Sequence, residues 1–442
     1  MKRLYLFYMA AAACWIAASA SLSARQRWTL KDCIDYALTH NVDVQRARVA
    51  VQQSDVETNT TKWARLPQVS AGAGQNWSWG RSASPVDNTY SDIHSGNTSF
   101  SLSASVPLFT GLQLPNEHAL AKLNLKAALE DFNKAKDDLA VNVASAYLQV
   151  LFSEELTAVA RRQADLTRQQ AERLARLEEV GKASPSETAE AKARLAQDEM
   201  SLVQAENDHR LALLELSQLL ELPSPEGFCL EAPDAEPRFA PLTPPDAVYM
   251  QALAFRPEIK AAQYRLKGSE KSIRIAQSAY YPQLSLNGGL GTSYYTVSGG
   301  SAQGFSEQLK NNFNRYLGIS LSIPLFNRLA TRNRVRTARL QQSDLLLQLD
   351  NTKKALYKEI QQAWYNALAA ESKYRSGEAA VQAAETSFRL MEEKYRNGKA
   401  NFVEFNEAKV NLAKAQSDCL QAKYEYLFRT KILAFYEGKP IA

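Results

Sequence analysis

The side chains best placed to do chemistry in this chain are two pairs of carboxylates. Glu187 and Glu190 stand six and nine positions after Gly181, and Glu404 and Glu407 stand six and nine positions after Gly398. A three-residue spacing puts each pair on one helical face, where carboxylates can concentrate cations or simply complement the positive end of a helix. Other chemistries find little support. His40, His94, His118 and His209 are dispersed and form no HExxH motif, and Gly288-Gly289-Leu290-Gly291 is followed by neither a Lys-Ser pair nor a helix start that could cradle phosphate. Beyond Cys14 the cysteines are Cys33, Cys229 and Cys419, an odd, scattered set that suggests neither a disulfide framework nor a metal site. Cys419 follows Phe405 and Leu412 in a heptad-like series and reads as a small apolar residue between helices. No catalytic residue, metal or cofactor is expected.

The elements that carry the glutamates occur twice. Val106-Pro107-Leu108-Phe109 returns as Ile323-Pro324-Leu325-Phe326, and Gly181-Lys182-Ala183 returns as Gly398-Lys399-Ala400, both at an offset of 217. Arg65-Leu66-Pro67-Gln68 matches Tyr280-Tyr281-Pro282-Gln283 and Ala37-Leu38 matches Ala252-Leu253, at 215. A duplicated module is the reading: a leader over 1–24, a first repeat over 25–222, a Pro-rich linker over 223–245 and a second repeat over 246–442.

With 442 residues, 45 % of them hydrophobic, the chain can bury a large core, and its net charge of +5 shows no basic patch of the kind nucleic acid requires. Lys2 and Arg3 precede an apolar run from Leu4 through Ala20, and Ser21, Ser23 and Ala24 offer a cleavage site, as in an export signal. A retained anchor and lipid attachment at Cys14 are the alternatives.

Within each repeat the pattern passes from helix to strand and back. Residues 32–62 and 246–279 read as helices ending before Pro67 and Pro282. Four strands follow in which Leu102, Val106, Leu286, Leu317 and Leu321 belong to apolar faces that alternate with Ser, Gly and Asn. Trp77, Trp79, Tyr294 and Tyr295 lie near strand ends, as at a membrane interface, and residues 81–96 and 296–311 read as exposed loops. Long helices are expected from about 118 to 179 and from about 331 to 397, the second interrupted at Gly377, with returning helices over 186–220 and 403–436. Heptad-like seams rich in alanine run along them.

Four strands cannot close a barrel, since about eight are needed merely to enclose side chains. Three chains would give twelve, and at roughly 4.8 Å spacing and about 40° tilt a backbone diameter near 24 Å. A homotrimer is therefore the smallest assembly with an open pore.

The order helix, strand, strand, long helix, turn, helix, used twice, with Pro-Leu-Phe closing the strands and a Gly-centred helical turn, resembles the TolC-like outer-membrane efflux proteins from Trp28 to about Tyr436. The segment from Trp28-Thr29-Leu30 to Asn41 resembles that family's N-terminal pattern. The resemblance implies an α+β membrane protein: a trimeric twelve-stranded β-barrel in the outer membrane of a Gram-negative cell, continuous with a helical tunnel in the periplasm. It also implies export of substrates delivered by an inner-membrane transporter and a periplasmic adaptor, a membrane fusion protein. Carried over by position, Gly181, Lys182 and Ala183 with Gly398, Lys399 and Ala400 would form the adaptor-docking tip. Glu187, Glu190, Glu404 and Glu407 would narrow the periplasmic gate, and Tyr395 would help hold it shut. The family's arginine two residues after the Gly is absent, Ala400 standing there, with Arg396 as a possible substitute. A periplasm-spanning structural or anchoring protein that forms no channel is the alternative from another class.

Overall fold

The structure, a computed structural model, describes residues 27–83, 89–225, 227–231, 239–298 and 303–441. The expected leader with Cys14, part of the linker and parts of both expected loops lie outside them. In chain order the elements are β1 (Arg27–Trp28), α1 (Leu30–His40), α2 (Val42–Trp63), β2 (Gln68–Ala83), β3 (Tyr90–Phe109), α3 (Gln113–Glu179), α4 (Pro185–Leu219), β4 (Cys229–Leu230), α5 (Pro245–Phe255), α6 (Pro257–Ser278), β5 (Gln283–Val297), α7 (Phe305–Asn311), β6 (Asn314–Ser322), α8 (Ala330–Arg396) and α9 (Phe402–Tyr436). Equivalent helices of the two halves have equal lengths: 11 residues in α1 and α5, 22 in α2 and α6, 67 in α3 and α8, and 35 in α4 and α9.

Two expected single helices are each divided. Asn41 has extended backbone, ends α1 and caps α2 with its Oδ1, which accepts from the Asp43 amide at 3.0 Å and the Val44 amide at 3.4 Å. At the matching position Arg256 is extended because Pro257 follows, and a residue before proline is pushed out of the helical region. Both dividing residues are buried, and both hold the end of their own repeat's last helix. Asn41 Nδ2 donates to the Leu219 carbonyl at 3.1 Å, while the Arg256 guanidinium lies 4.6 Å from the Phe435 ring centre and 3.6 Å from Asp137. Gly377 does not interrupt α8. A Cβ there would come within 3.2 Å of the Cys419 Cα, so the glycine admits close approach of α9.

By contacts the chain forms two compact units, each drawn from both repeats. One comprises residues up to Arg48, Phe132–Arg256 and from Lys353 onward. Its largest cluster buries Cys33, Ala37, Val143, Tyr147, Leu151, Leu216 and Leu220. Burial pushes the Cys33 thiol up to about 12, with Asp32 adding to the effect, so this cysteine is a packing group. β1 pairs in parallel with β4, and the Tyr147 hydroxyl donates to the carbonyls of both Trp28 and Glu231, fastening the two short strands to α3.

The other unit, Val49–Asp131 and Pro257–Thr352, holds an antiparallel sheet in the order β2-β3-β5-β6. The β2–β3 hairpin is longer than expected. Strand pairing runs from Gln68↔Ser105 out to Ala83↔Tyr90, so residues 90–96 are strand. Likewise β5 runs to Val297, and the segment expected as a loop after it contains α7. β6 ends at Ser322, one residue short of Ile323. Between strand and long helix the chain turns through two residues with positive φ in each repeat: Gly111 (62°) and Leu112 (66°), then Arg328 (54°) and Leu329 (64°). Glycine is required at 111, where a Cβ would meet the Ser278 carbonyl oxygen at 2.5 Å.

Candidate functional site: helical tips and a two-faced sheet

The two helical turns are built alike, bond for bond. Gly181 and Gly398 have φ of 70° and 69°, in the left-handed region that stops a helix, and nothing lies within 4 Å of where a Cβ would stand, so conformation alone selects glycine. Behind each, the next amide closes a wide turn: Lys182 N–H to the Leu177 carbonyl and Lys399 N–H to the Lys394 carbonyl, both at 2.8 Å. The returning helices then open on reciprocal caps. Ser184 and Asn401 accept from the amides of Glu187 (3.1 Å) and Glu404 (2.8 Å), and those glutamates accept from the Ser184 and Asn401 amides, both at 3.1 Å.

This geometry separates the members of each acidic pair. Glu187 and Glu404 are tied to backbone as cap partners, whereas Glu190 and Glu407 stand exposed one turn further on, free of any cap bond. Lys182 and Lys399 are exposed, while Ala183 is half-buried against Ala171, Leu174, Ala191 and Phe402. Tyr395 is folded in as well. Its ring stacks on Phe405 with centres 4.8 Å apart, and burial raises its hydroxyl pKa, Arg173 opposing and Glu187 reinforcing the shift. Arg396 is engaged elsewhere, 2.6 Å from Glu392 on its own helix.

Near this tip lies a polar cluster that the sequence reading missed. Lys409 of α9, its side chain only 3 % exposed, reaches Asp198 of α4 at 3.0 Å and donates to the Thr167 hydroxyl of α3. Thr167 in turn donates to Asp198 at 2.5 Å, and Arg194 Nε stands 3.5 Å from the other carboxylate oxygen. Burial lowers the Lys409 pKa and Asp198 pulls it back up. One signal was available: Lys409 stands four after buried Phe405, on the same helical face.

In the sheet, register brings the expected apolar residues together. Leu102 pairs with Leu290, Val106 with Leu286, Leu286 with Ile319 and Leu284 with Leu321, while Leu317 stands opposite Gly288. Residues directly opposite share a face, so Leu102, Val106, Leu286, Leu317 and Leu321 form one apolar surface. The other face carries Ser70, Ser103 and Gly289 in one row and Ser105, Asn287 and Gly318 in the next. Hydroxyls and amides bridge it, Ser70 to Ser103 at 2.9 Å and Ser105 to Asn287 at 2.8 Å. Trp77, Trp79 and Tyr294 fall on the apolar face, but Tyr295, one residue on, falls on the polar one, which removes it from the expected aromatic set. Among the described residues no helix is long and apolar enough to cross a membrane.

A sheet with one apolar and one hydroxyl-lined face, in a chain that also forms helices of 67 and 35 residues in each half, marks the class of outer-membrane channels. The chain belongs to the outer membrane efflux protein family, whose sequence profile matches residues 33–221 and again 248–437. It is similar to the alkaline protease secretion protein AprF of Pseudomonas aeruginosa, 25 % identical over 70 % of this chain and 63 % of AprF. The pyoverdine export outer membrane protein OpmQ of Pseudomonas putida is 26 % identical over 93 % of this chain and 87 % of OpmQ. Among solved structures, the Campylobacter jejuni CmeC outer membrane channel superposes with a TM-score of 0.80 at 18 % identity, covering 92 % of this chain and 85 % of CmeC. The protein is thus an outer-membrane exit duct for efflux or secretion, a trimer with four barrel strands per chain and its helical tunnel in the periplasm. A non-channel spacer does not fit this family.

Proposed function

We propose that the paired turns at Gly181 and Gly398 form the periplasmic entrance of this duct, where a periplasmic adaptor docks and through which substrates from an inner-membrane transporter enter. The observation that carries the reading is the bond-for-bond repetition of turn and cap in the two halves. Three chains would then present six equivalent tips, a surface suited to repeated contact with a hairpin partner. Lys182, Lys399, Ala183 and Ala400 are its docking residues, and Tyr395 supports it from within the aromatic cluster. The duct is a passive conduit, with no catalytic residue, cofactor or metal assigned. Each repeat is one tandem copy of an ancestral unit, joined by the linker over 223–245.

Glu190 and Glu407 form the acidic ring of the entrance, six carboxylates in a trimer, while Glu187 and Glu404 chiefly hold the caps. Such a ring attracts cations and repels anions. Exchange of Glu190 and Glu407 for glutamine should reduce cation selectivity and weaken block by multivalent cations in single-channel recordings, with trimer yield unchanged. Glu187→Gln with Glu404→Gln should change selectivity less, because glutamine also completes a capping box. Wild-type selectivity and block in the Glu190→Gln/Glu407→Gln variant would refute the ring.

A further inference from the structure

β5 continues past its partner. β6 begins at Asn314, opposite Gly291, yet β5 runs six residues further to Val297. Along that stretch its open edge is completed by side-chain amides from α7 and the residue after it. Asn312 Nδ2 donates to the Ser293 carbonyl at 2.7 Å, and buried Gln308 serves Tyr295 twice, accepting from its amide at 2.8 Å and donating to its carbonyl at 2.9 Å. Ser293 and Tyr295 follow Gly291 at steps of two, so these are the next rungs of the same ladder, made by a helix where a strand would be. Thr292 bonds to the Leu309 carbonyl at 2.7 Å and Phe305 packs edge-on against Tyr294, 4.9 Å between centres, so α7 is seated firmly.

The opposite edge of the sheet is unequal to β6. β2 has 16 residues and β6 has 9. When β2 of one copy pairs along β6 of the next to close the barrel, the distal part of β2, about Asn76 to Ala83, has no strand to meet. On that pairing α7 would stand beside it. We propose that α7 is the docking surface for the distal half of β2 from a second copy of this chain, so that the outer mouth is sealed by three helix-to-strand contacts above a twelve-stranded belt. The inference rests on the trimeric-channel reading. Charge is neutral to the pairing, since β2 carries Arg81 alone while α7 exposes both Glu307 and Lys310; what favours it is continuity, because α7 prolongs the edge that β6 leaves. An unpaired strand edge is otherwise a liability that proteins cover.

The test uses the full chain in the outer membrane, with Cys14, Cys33, Cys229 and Cys419 changed to alanine. Lys310→Cys combined with Ser78→Cys or Arg81→Cys, treated with a short bis-maleimide, should give bands at two and three chain masses, and each single-cysteine variant should give none. Ser320→Cys with Ser70→Cys, Gly72→Cys or Gly74→Cys serves as the control across β6 and β2. If a control pair cross-links between copies and the α7 pairs do not, the α7 contact is refuted while the trimer stands; if neither set does, the trimer reading falls first. Gln308→Ala should lower α7 cross-linking several-fold and leave the control intact, and equal yields with and without it would also overturn the assignment.

Discussion

Among single residues, Lys409 is where one atom group matters most. A charge taken out of water is tolerated only while its partner remains, and removing one member of a buried pair typically costs about 3–5 kcal/mol because the other is stranded. Lys409→Ala should therefore lower the thermal stability of the helical part, read by circular dichroism. Lys409→Met combined with Asp198→Leu and Thr167→Val should recover most of the loss, since no buried charge is then left. A triple variant no better than the single one would show that the cluster acts by shape alone. Arg328 makes the opposite case. Its φ of 54° is a left-handed conformation that costs a side-chain-bearing residue about 1–2 kcal/mol, and its counterpart in the first repeat is Gly111. Arg328→Gly should raise the melting temperature and Gly111→Ala should lower it. The Lys409 cluster was not legible in the sequence because Asp198 lies 211 positions away; the tip turns were, because every bond that shapes them spans six residues or fewer.

Local elements were read well where their chemistry is local. The long helices, the returning helices and the four strands lie where their periodicity places them, and Pro67, Pro282 and Gly398 mark real ends. Errors fell where one signal carried two meanings. Asn41 and Arg256 sit inside amphipathic pattern, and a single helix through them ignored what Pro257 forbids at the residue before it. Residues 90–96 lack a regular alternation and suggest a loop, yet their backbone pairs with β2 out to Ala83↔Tyr90, because ladder hydrogen bonds need no particular side chains. Nearer the base of the sheet the alternation is regular, and it is testable. Leu102→Arg or Leu321→Arg puts charge on the apolar face at roughly 2–4 kcal/mol near the midplane, and should reduce membrane assembly. Ser103→Arg or Ser320→Arg, on the polar face, should be tolerated. Equal losses in both sets, measured as heat-resistant oligomer in outer-membrane fractions, would mean that the alternation does not separate a lipid face from a lumen face.

For the whole molecule, the controlling fact is that four antiparallel strands leave two free edges. Closure requires other copies, and the assembly ends when the first edge meets the last. Limited cross-linking of the detergent-extracted protein should therefore stop at three chains, and native mass spectrometry should show no stable barrel of one. The equal lengths of corresponding helices in the two halves were legible in two short motifs at one offset, because turns separated by helices of equal length stay in step. The fact that each compact unit borrows from both repeats was not legible, since no local pattern records which helix ends lie side by side.

The short parallel pair of β1 and β4 carries a consequence for how the chain is made. Strand β1 contains Trp28, and it has no partner until Leu230 arrives. A protein exported from its N-terminus therefore emerges with its first strand unmatched, and keeps it so until the whole first repeat has passed through the inner membrane. Contacts so distant in sequence form late. During that interval the exposed edge of β1 and the apolar faces of β2 and β3 are open to any passing segment, so the periplasm has to shelter a half-delivered chain before it can receive a finished one.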